Sequence, residues 1–547
     1  MIRFAEHCAA VLLIGMMGVP AGAKTHRKAH RVEPLKTQVA GLLADPAVTR
    51  SHWGIAVTKM DGTPIYALNE GQFFQPASNA KLFTTAAAMA LLGPETTFET
   101  KIVGVGVFVG AARLTGNLVL VGAGDANLSG RTIPYVPPAM RPHPPPPAPA
   151  PLRYLEEMAD QVAATGLKVI HGDVIGDDTL FPWEPYPEDW AIDDVVWGYG
   201  APVSALTIND NQIEVTITPG ATPGVRNGSV VLNPAAPAYY TVDSSQLVTG
   251  MAQVKTQIVA ERALGTKILR VFGGIGVGAA PDVEEVAIQD PAEYAAMALK
   301  EMLEARGIRV TGKARAQHGV PSLGMGFLEA STGLGETIGK NLAEGRPVDC
   351  GSPPWSEDVP VEEERPLAQH TSVSLKDDLV VTNKTSQNLH AELLLHHLGL
   401  KVACGGSTAG GAGVVRGFLT GMVGIDKDDF VFYDGSGLSG HDLVTPRATV
   451  KLLQYASGQP WFADWKASLP VGGEDGTLAF RFAKAPLKGH VFAKTGTLGE
   501  ARALSGYLDC ASGRTVIFSI MVDNHAPHSH ADVIAMDRIV AAIAATN

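Results

Sequence analysis

The sequence contains a serine and a lysine at a spacing that suits covalent catalysis. Ser78 and Lys81 stand three positions apart, directly before a run of good helix formers that ends near Leu92. Pro76 favours the start of a helix there, so both side chains are predicted to share a face of its first turn. A lysine whose pKa is lowered by burial can take the hydroxyl proton, and the free N–H groups of a helix start favour negative charge. Ser78 is therefore predicted to be a nucleophile and Lys81 its base.

Two later stretches carry residues that suit the binding of a carboxylate and a peptide backbone. Ser386 and Asn388 frame a Ser-x-Asn element at the edge of a second helical segment. Lys494, Thr495 and Gly496 follow one another on a predicted strand near the C-terminus. The lysine offers positive charge to a carboxylate, the threonine offers a hydroxyl, and the glycine lets a substrate backbone come close. Such short patterns arise by chance in a chain of this length, so they are informative only as a set.

The elements around these motifs predict an antiparallel sheet covered by helices. Residues 53–58 and 64–68 read as strands that flank Asp61 and Gly62, a typical hairpin turn, and they lead into Ser78. Further strands are predicted at 491–497, 503–508 and 515–522, and helices at 35–43 and 531–545. Helices packed on an antiparallel sheet define an α+β fold.

The long stretch between Ser78 and Ser386 differs from the segments around the motifs in the elements that it predicts. Short strands and many turns extend from residue 98 to residue 271, which indicates a β-rich region. A proline-rich run at 134–151 is predicted to be an extended, solvated loop. Residues 317–365 show weak periodicity and an acidic run, and we expect them to form a long insertion loop.

Composition limits the classes of function. The chain has 547 residues, 46% of them hydrophobic, which predicts about two to four packed domains. The net charge of −12 argues against a nucleic-acid partner, because such a partner requires a clustered basic face. No metal-ligand spacing is visible, so neither a metal nor another cofactor is expected. His390, His396 and His397 are predicted to pack in the core.

The first 23 residues have the layout of a signal peptide. Arg3 supplies the positive charge, residues 9–19 the apolar region, and Ala21-Gly22-Ala23 a cleavage site before Lys24. An uncleaved anchor is the alternative, although the apolar run is short for a bilayer span. The cysteines that remain after cleavage are Cys350, Cys404 and Cys510. At most one disulfide can form among them within the chain, and we expect all three to be structural.

Taken in chain order, the three motifs resemble those of the penicillin-recognising serine enzymes. The chain is most similar to the class C low-molecular-mass penicillin-binding proteins, which are D-alanyl-D-alanine carboxypeptidases and endopeptidases. The stretches that carry this closer resemblance are Pro76-Ala77-Ser78, 199–206, 383–388, 433–439 with Thr445-Pro446, and 494–498 with Ser505-Gly506-Tyr507. The gap from Ser78 to Ser386 is almost three times the gap from Ser386 to Lys494. In the resembling proteins, additional domains occupy that first gap.

The resemblance implies a domain layout. A catalytic domain of the β-lactamase/transpeptidase type would comprise residues 24–97 and 366–547. An inserted domain would comprise residues 98–211 and 308–316, with a third domain nested in it at 212–307.

The resemblance also implies a mechanism. Ser78 would attack the carbonyl between two D-alanines of a peptidoglycan stem peptide with Lys81 as base, and Ser386 would pass the proton to the leaving amine. The backbone N–H groups of Ser78 and Thr497 would hold the oxyanion. The implied substrate-binding residues are Asn388, Lys494, Thr495, Gly496 and Thr497, with Asp178 and Phe181 in a pocket for the diamino acid. We also expect repulsion from Lys494 to help keep Lys81 neutral.

Two other functions remain open at this point. One is a β-lactamase or esterase of the same superfamily, and the other is a non-catalytic scaffold that binds peptidoglycan. An α/β-hydrolase is disfavoured because the sequence has no Gly-x-Ser-x-Gly. The expected partners are stem peptides and β-lactam inhibitors. The expected location is exported, in the periplasm or cell envelope, with peripheral envelope contact.

Overall fold

The structure is a computed structural model that describes residues 33–233, 239–263, 265–320, 326–346 and 364–547. The predicted signal peptide, residues 1–23, and Cys350 lie outside the described residues. Cys404 is disulfide-bonded, and Cys510 is a buried free thiol. Within the described ranges, none of the helices has the length and apolar character needed to cross a bilayer.

A five-stranded antiparallel sheet joins the two ends of the described chain. Its strands, in order across the sheet, are Val491–Leu498, Ala501–Asp509, Thr515–Asp523, His52–Lys59 and Pro64–Leu68. The predicted hairpin around Asp61 and Gly62 is therefore present. The strand that carries Lys494 lies at the edge of the sheet, where a ligand has access to its backbone.

Helices cover both faces of this sheet. On one face, Leu35–Leu43 and Ala531–Thr546 bury their apolar sides against strand residues that include Ile55. On the other face, Ala80–Leu91 and Pro446–Ser457 pack in a second cluster. The remaining helices around this core are Leu375–Lys384, Asn388–Val402, Thr408–Phe418 and Phe462–Ser468. The predicted helices at 35–43 and 531–545 are both confirmed, and their buried residues complete the core on this face of the sheet.

Three further sheets lie in sequence between Ser78 and Ser386. The largest contains Glu99–Val109, Arg113–Val121, Val169–His171, Val174–Pro182, Arg309–Val310, Ala314–Gly319 and Glu364–Thr371, and helices Arg153–Ala164 and Pro291–Ala305 accompany it. The two smaller sheets contain Thr241–Asp243, Leu247–Gly250, Gln257–Arg262 and Ile268–Gly276, and Gln212–Thr218, Ser229–Asn233 and Asp282–Ala287. The fold is thus α+β and multidomain, with β-rich domains inserted between the first two motifs.

The expectation of a loop over residues 317–365 is wrong in part. The segment contains a helix, Phe327–Ala343, which packs against Thr408–Phe418. A β-carbon at Gly417 would lie 2.9 Å from the backbone nitrogen of Gly339, so glycines let the two helix backbones approach closely. Glycine has low helix propensity, and its use at this contact hides the helix from a propensity argument. Residues 321–325 and 347–363 lie outside the described residues.

The proline-rich run at 134–151 has irregular backbone apart from one 3₁₀ turn, Pro138–Met140. Its first part touches the domain that carries Ser78, because the backbone N–H of Gly476 donates to the Tyr135 hydroxyl at 3.2 Å. Shorter elements elsewhere are the 3₁₀ turns Ala77–Asn79, Gly198–Gly200, Asn209–Asn211 and Gly476–Leu478, a π turn at Leu419–Val423, and a pair of two-residue strands, Phe430–Val431 and Leu443–Val444.

Candidate active site

The predicted nucleophile lies in a 3₁₀ turn, Ala77–Asn79, that leads directly into the helix Ala80–Leu91. The backbone of Ala77 is in the left-handed region, with φ of 44°. That conformation is costly for a residue with a side chain and persists only where the surroundings hold it. It turns the chain sharply just before Ser78 and presents the hydroxyl to the Lys81 side chain.

Lys81 is fully buried and donates to three oxygens. Its Nζ lies 2.9 Å from Ser78 Oγ, 2.6 Å from Asn388 Oδ1 and 2.7 Å from the carbonyl oxygen of Ser436. The predicted Ser–Lys contact is therefore present, and Asn388 joins it from the second motif. An amine held by three acceptors has one orientation toward the serine hydroxyl.

Burial lowers the pKa of Lys81 to about 8, against the opposing attraction of buried Asp434, Glu392 and Asp442. Repulsion from Lys494 is expected from the sequence to help lower this pKa, but burial is the main cause of the lowering and the charged neighbours named above for Lys81 are carboxylates. Burial is the main cause that holds the pKa of Lys494 well below its usual value. Repulsion from the charge of Lys81 is the second cause.

Lys494 brings the second and third motifs together. Its Nζ donates to Ser386 Oγ at 2.8 Å and to the carbonyl oxygen of Thr495 at 2.9 Å. Ser386 lies between the helices Leu375–Lys384 and Asn388–Val402, and its φ of 61° is again in the left-handed region. Two Ser–Lys pairs thus lie side by side, linked by the Ser-x-Asn segment.

The edge strand, Val491–Leu498, packs against the turn Ala77–Asn79, which we call the nucleophile turn. A β-carbon at Gly496 would lie 2.5 Å from the carbonyl oxygen of Pro76, so the glycine is required by protein packing, whereas the sequence interpretation assigned it to substrate approach. The Thr495 hydroxyl donates to the Thr477 hydroxyl at 2.7 Å. Arg502 donates to the Thr497 hydroxyl at 2.8 Å.

A cleft of about 330 Å³ opens over these groups. Its lining residues are Ser78, Asp194, Tyr199, Ser386, Asn388, Gly437, Leu438, Thr497, Leu498 and Gly499. Asp194 and Tyr199 are additions that the sequence interpretation missed, although Tyr199 opens a stretch identified as a structured loop. The Tyr199 hydroxyl donates to Asp194 Oδ1 at 2.8 Å, and the Tyr199 carbonyl accepts from Asn388 Nδ2 at 2.9 Å.

Asp434 is a third residue that sequence reasoning missed as a part of the site. Its buried carboxylate accepts hydrogen bonds from the backbone N–H groups of Ser436, Gly437, Leu438 and Ser439, at 2.6–3.1 Å. It also accepts from Trp190 Nε1 at 2.9 Å. The loop around this carboxylate carries the Ser436 carbonyl that contacts Lys81.

Asp178 and Phe181 are not brought to this cleft, which corrects their assignment to a substrate pocket. Both are 2% exposed. Asp178 accepts from Ser204 Oγ at 2.8 Å and lies 3.0 Å from His318 Nδ1. Phe181 packs against the ring of His397. Asp178 thus joins two segments of the inserted region, whereas Phe181 packs against the helix Asn388–Val402, and neither residue lines the cleft.

The histidines near the second motif are buried, and the described part of the chain contains no group of histidine, cysteine and carboxylate side chains suited to a metal. His390 does more than pack: its Nδ1 lies 2.7 Å from Asp378 Oδ1 and its Nε2 3.3 Å from Asp210 Oδ1. His396 Nδ1 lies 2.6 Å from the carbonyl oxygen of Gly406.

Comparison with known proteins agrees with this geometry. Residues 35–323 and 355–543 match the D-Ala-D-Ala carboxypeptidase 3 (S13) family. The D-alanyl-D-alanine carboxypeptidase of Actinomadura sp. (strain R39) is 34% identical over 521 residues, which cover 92% of this chain and 84% of that protein. The D-alanyl-D-alanine carboxypeptidase DacB of Haemophilus influenzae is 24% identical over 467 residues, covering 84% of this chain and 82% of that protein.

A solved structure shares the fold. Penicillin binding protein 4 (dacB) from Haemophilus influenzae superimposes with a TM-score of 0.71 at 22% identity, covering 91% of this chain and 97% of that chain. Its complex with a novel beta-lactam gives a TM-score of 0.66. The α+β arrangement with inserted domains is therefore confirmed by both architecture and comparison, and the chain belongs to the D-Ala-D-Ala carboxypeptidase 3 (S13) family.

Proposed function

We propose that this chain is a serine-type D-Ala-D-Ala carboxypeptidase, with DD-endopeptidase activity, that acts on peptidoglycan stem peptides through an acyl-enzyme on Ser78. The observation that carries the proposal is the 2.9 Å contact between the buried Lys81 amine and the Ser78 hydroxyl. A neutral amine at that distance takes the hydroxyl proton as Ser78 Oγ bonds to the substrate carbonyl carbon. The carbonyl oxygen becomes an oxyanion held by the backbone N–H groups of Ser78 and Thr497, each worth about 3 kcal/mol of barrier.

Ser386 completes the first half of the reaction. The bond between the carbonyl carbon and the nitrogen of the terminal D-alanine breaks as Ser386 Oγ gives its proton to that nitrogen and takes up the proton that Lys81 removed from Ser78, which leaves Lys81 neutral again. The amine of Lys494, 2.8 Å from Ser386 Oγ, orients this hydroxyl. Water then attacks the ester on Ser78 and releases the shortened peptide, with Lys81 again as the base.

The cleft offers partners for each part of the substrate. Lys494, Thr495 and Thr497 bind the terminal carboxylate, and Asn388 holds the substrate amide. Asp194 lines the opposite wall beside Tyr199. We assign Asp194 to the ammonium group of the stem peptide's diamino acid, in place of Asp178 and Phe181, because a carboxylate in a partly closed cleft favours a cation.

β-Lactams are expected to acylate the same serine, since they present a carbonyl and a carboxylate in a similar arrangement. The proposal also includes export to the periplasm or cell envelope, with peripheral envelope contact, which rests on the signal-peptide layout of residues 1–23.

The test is to incubate the purified mature protein and its Ser78→Ala variant with a fluorescent penicillin, and to measure D-alanine release from a stem pentapeptide in parallel. Lasting label and D-alanine release from the wild type alone are the expected results. Brief label with rapid antibiotic destruction instead indicates a β-lactamase. Peptidoglycan binding without label or product, in a folded protein, indicates a scaffold and overturns the proposal.

A further inference from the structure

The Ser-x-Asn motif is attached to the inserted region at two points. Gln387, the middle residue of the motif, donates from Nε2 to Asp210 Oδ2 at 3.1 Å. Asn388 donates from Nδ2 to the Tyr199 carbonyl at 2.9 Å. Both acceptors belong to the part of the chain between the first two motifs, whereas the motif itself stands at the junction of two helices of the catalytic core.

Asp210 is the centre of a buried charge cluster. It is 3% exposed and accepts from the Arg131 guanidinium on one side and faces His390 Nε2 on the other. His390 is fully buried and bridges Asp210 to Asp378. Burial opposes a charged imidazole, but the carboxylates of Asp378 and Asp210 outweigh it and raise the pKa of His390 to about 9. The cationic side chains of Arg131 and His390 thus hold the Asp210 carboxylate, and His390 also holds that of Asp378. The two carboxylates come from the inserted region and from the catalytic core.

The backbone around Asp210 is specialised for this placement. Asn209, Asp210 and Asn211 all have positive φ, at 49°, 54° and 53°. Asn211 side-chain hydrogen bonds to the backbone of Pro202 and Ile208 support the turn, at 2.9 Å each. Three consecutive residues in the left-handed region form a rigid turn that aims the Asp210 carboxylate at the motif.

The motif itself needs such support. Ser386 has a φ of 61°, a conformation that a serine adopts only when its neighbours hold it. Its next residue, Gln387, is the one that Asp210 binds. The Gln387 side chain also caps the helix Asn388–Val402, because its Oε1 accepts from the Leu389 N–H at 3.3 Å, so Asp210 fixes the same amide that begins this helix.

We propose that Asp210, acting through Gln387, and the Tyr199 carbonyl, acting through Asn388, are positioning groups by which the inserted region holds Ser386 and Asn388 in reactive geometry. Neither Asp210 nor Gln387 contacts the cleft, so their effect on rate passes through Ser386. This inference rests on the proposed function, in which Ser386 transfers the proton to the leaving amine.

The experiment compares the limiting rate of acylation and the kcat and KM for D-alanine release in four variants: Ser386→Ala, Gln387→Ala, the double variant of these two, and His318→Gln. Gln387→Ala is expected to lower kcat by about 10- to 100-fold with little change in KM, as for a small displacement of a catalytic group. The double variant is expected to be no slower than Ser386→Ala, because both substitutions remove one function.

His318→Gln is the matched control, since it breaks a partly buried pair with Asp178 and Asp290 in the same inserted region, away from the motif. It is expected to lower the melting temperature and leave kcat unchanged. An unchanged kcat in Gln387→Ala overturns the inference and leaves the proposed function standing. The same holds if the effects of Ser386→Ala and Gln387→Ala multiply in the double variant. An unchanged rate in Ser386→Ala overturns the proposed role of Ser386 together with the inference.

Discussion

The α-carbon of Gly437 lies against the carbonyl of Ala77, so closely that a β-carbon at position 437 would lie 1.8 Å from the Ala77 oxygen. Gly437 also has a φ of 80°. The close contact and the positive φ therefore each require glycine at this position. The contact fixes the turn that presents Ser78 from the side opposite the edge strand.

Gly437→Ala is therefore expected to displace the nucleophile turn and to lower the rate of acylation by a β-lactam by about 100-fold or more. The matched control is Gly440→Ala in the same loop, where a β-carbon would lie 3.2 Å from the Asp189 carboxylate and 3.8 Å from Gln75. Equal acylation rates in the two variants contradict this role for the Gly437–Ala77 contact.

The acylation rate is expected to rise with pH, to be half-maximal near pH 8 and to level off above about pH 9. Burial lowers the pKa of Lys81 to about 8, so the amine that accepts the Ser78 proton is mostly charged at pH 6 and mostly neutral at pH 9. The measurement is the second-order acylation rate constant across that range. Lys81→Arg is expected to abolish acylation at every pH, because a guanidinium stays charged. A flat profile from pH 6 to 9 speaks against Lys81 as the base.

Thr495→Val is expected to lower kcat/KM for a peptide with a free C-terminal carboxylate by about tenfold, since a hydrogen bond to a charged group is lost. The same peptide with a C-terminal amide is the control substrate, and the variant and the wild type are expected to turn it over at similar rates. An equal loss on both substrates indicates that Thr495 supports the strand and does not bind the carboxylate.

Asp194→Asn is expected to raise KM about tenfold for a stem peptide whose diamino acid has a free amine, because a charge-assisted contact is lost. Acetylation of that amine removes the cation, so the acetylated peptide is expected to bind both proteins alike. If Asp194→Asn weakens both peptides equally, Asp194 does not select the amine.

The free energy of unfolding is expected to fall as pH rises from about 6.5 to about 9. The folded protein raises the pKa of His390 to about 9, compared with about 6.5 in the unfolded chain. A charged His390 therefore stabilises the folded state fully below pH 6.5, and this contribution is lost as pH rises through 9. His390→Gln is expected to destabilise the protein by about 3–5 kcal/mol near neutral pH, with a difference from wild type that shrinks toward pH 9 in thermal or denaturant unfolding. A difference that stays constant with pH contradicts a charged His390.

The residues that bear chemistry were predictable because they stand in short, ordered patterns. Ser78, Lys81, Ser386, Asn388 and Lys494 meet in the structure although the chain separates them widely. The Asp61-Gly62 turn signal predicted the hairpin, and apolar residues at helical spacing predicted the helix Leu35–Leu43, which buries one face on the sheet.

The supporting groups were not predictable, because their partners are distant and leave no local pattern. Asp434 accepts hydrogen bonds from four backbone N–H groups of its own loop. Its importance is that this loop places the Ser436 carbonyl oxygen against the Lys81 amine. Asp210 and His390 are 180 positions apart in the chain, and nothing near either residue indicates the other. The resemblance implies a substrate pocket for Asp178, whereas the structure places its buried carboxylate against the partly exposed His318.

The strand order of the five-stranded sheet has a consequence for how the protein is made. His52–Lys59 pairs on one edge with its hairpin partner and on the other with Thr515–Asp523, which the ribosome produces only after all the inserted sheets. The nascent chain therefore holds an open strand edge while all the inserted sheets are synthesised, and such an edge invites pairing with other chains. The nucleophile turn is synthesised early, but it becomes a catalyst only when the final strands close the sheet.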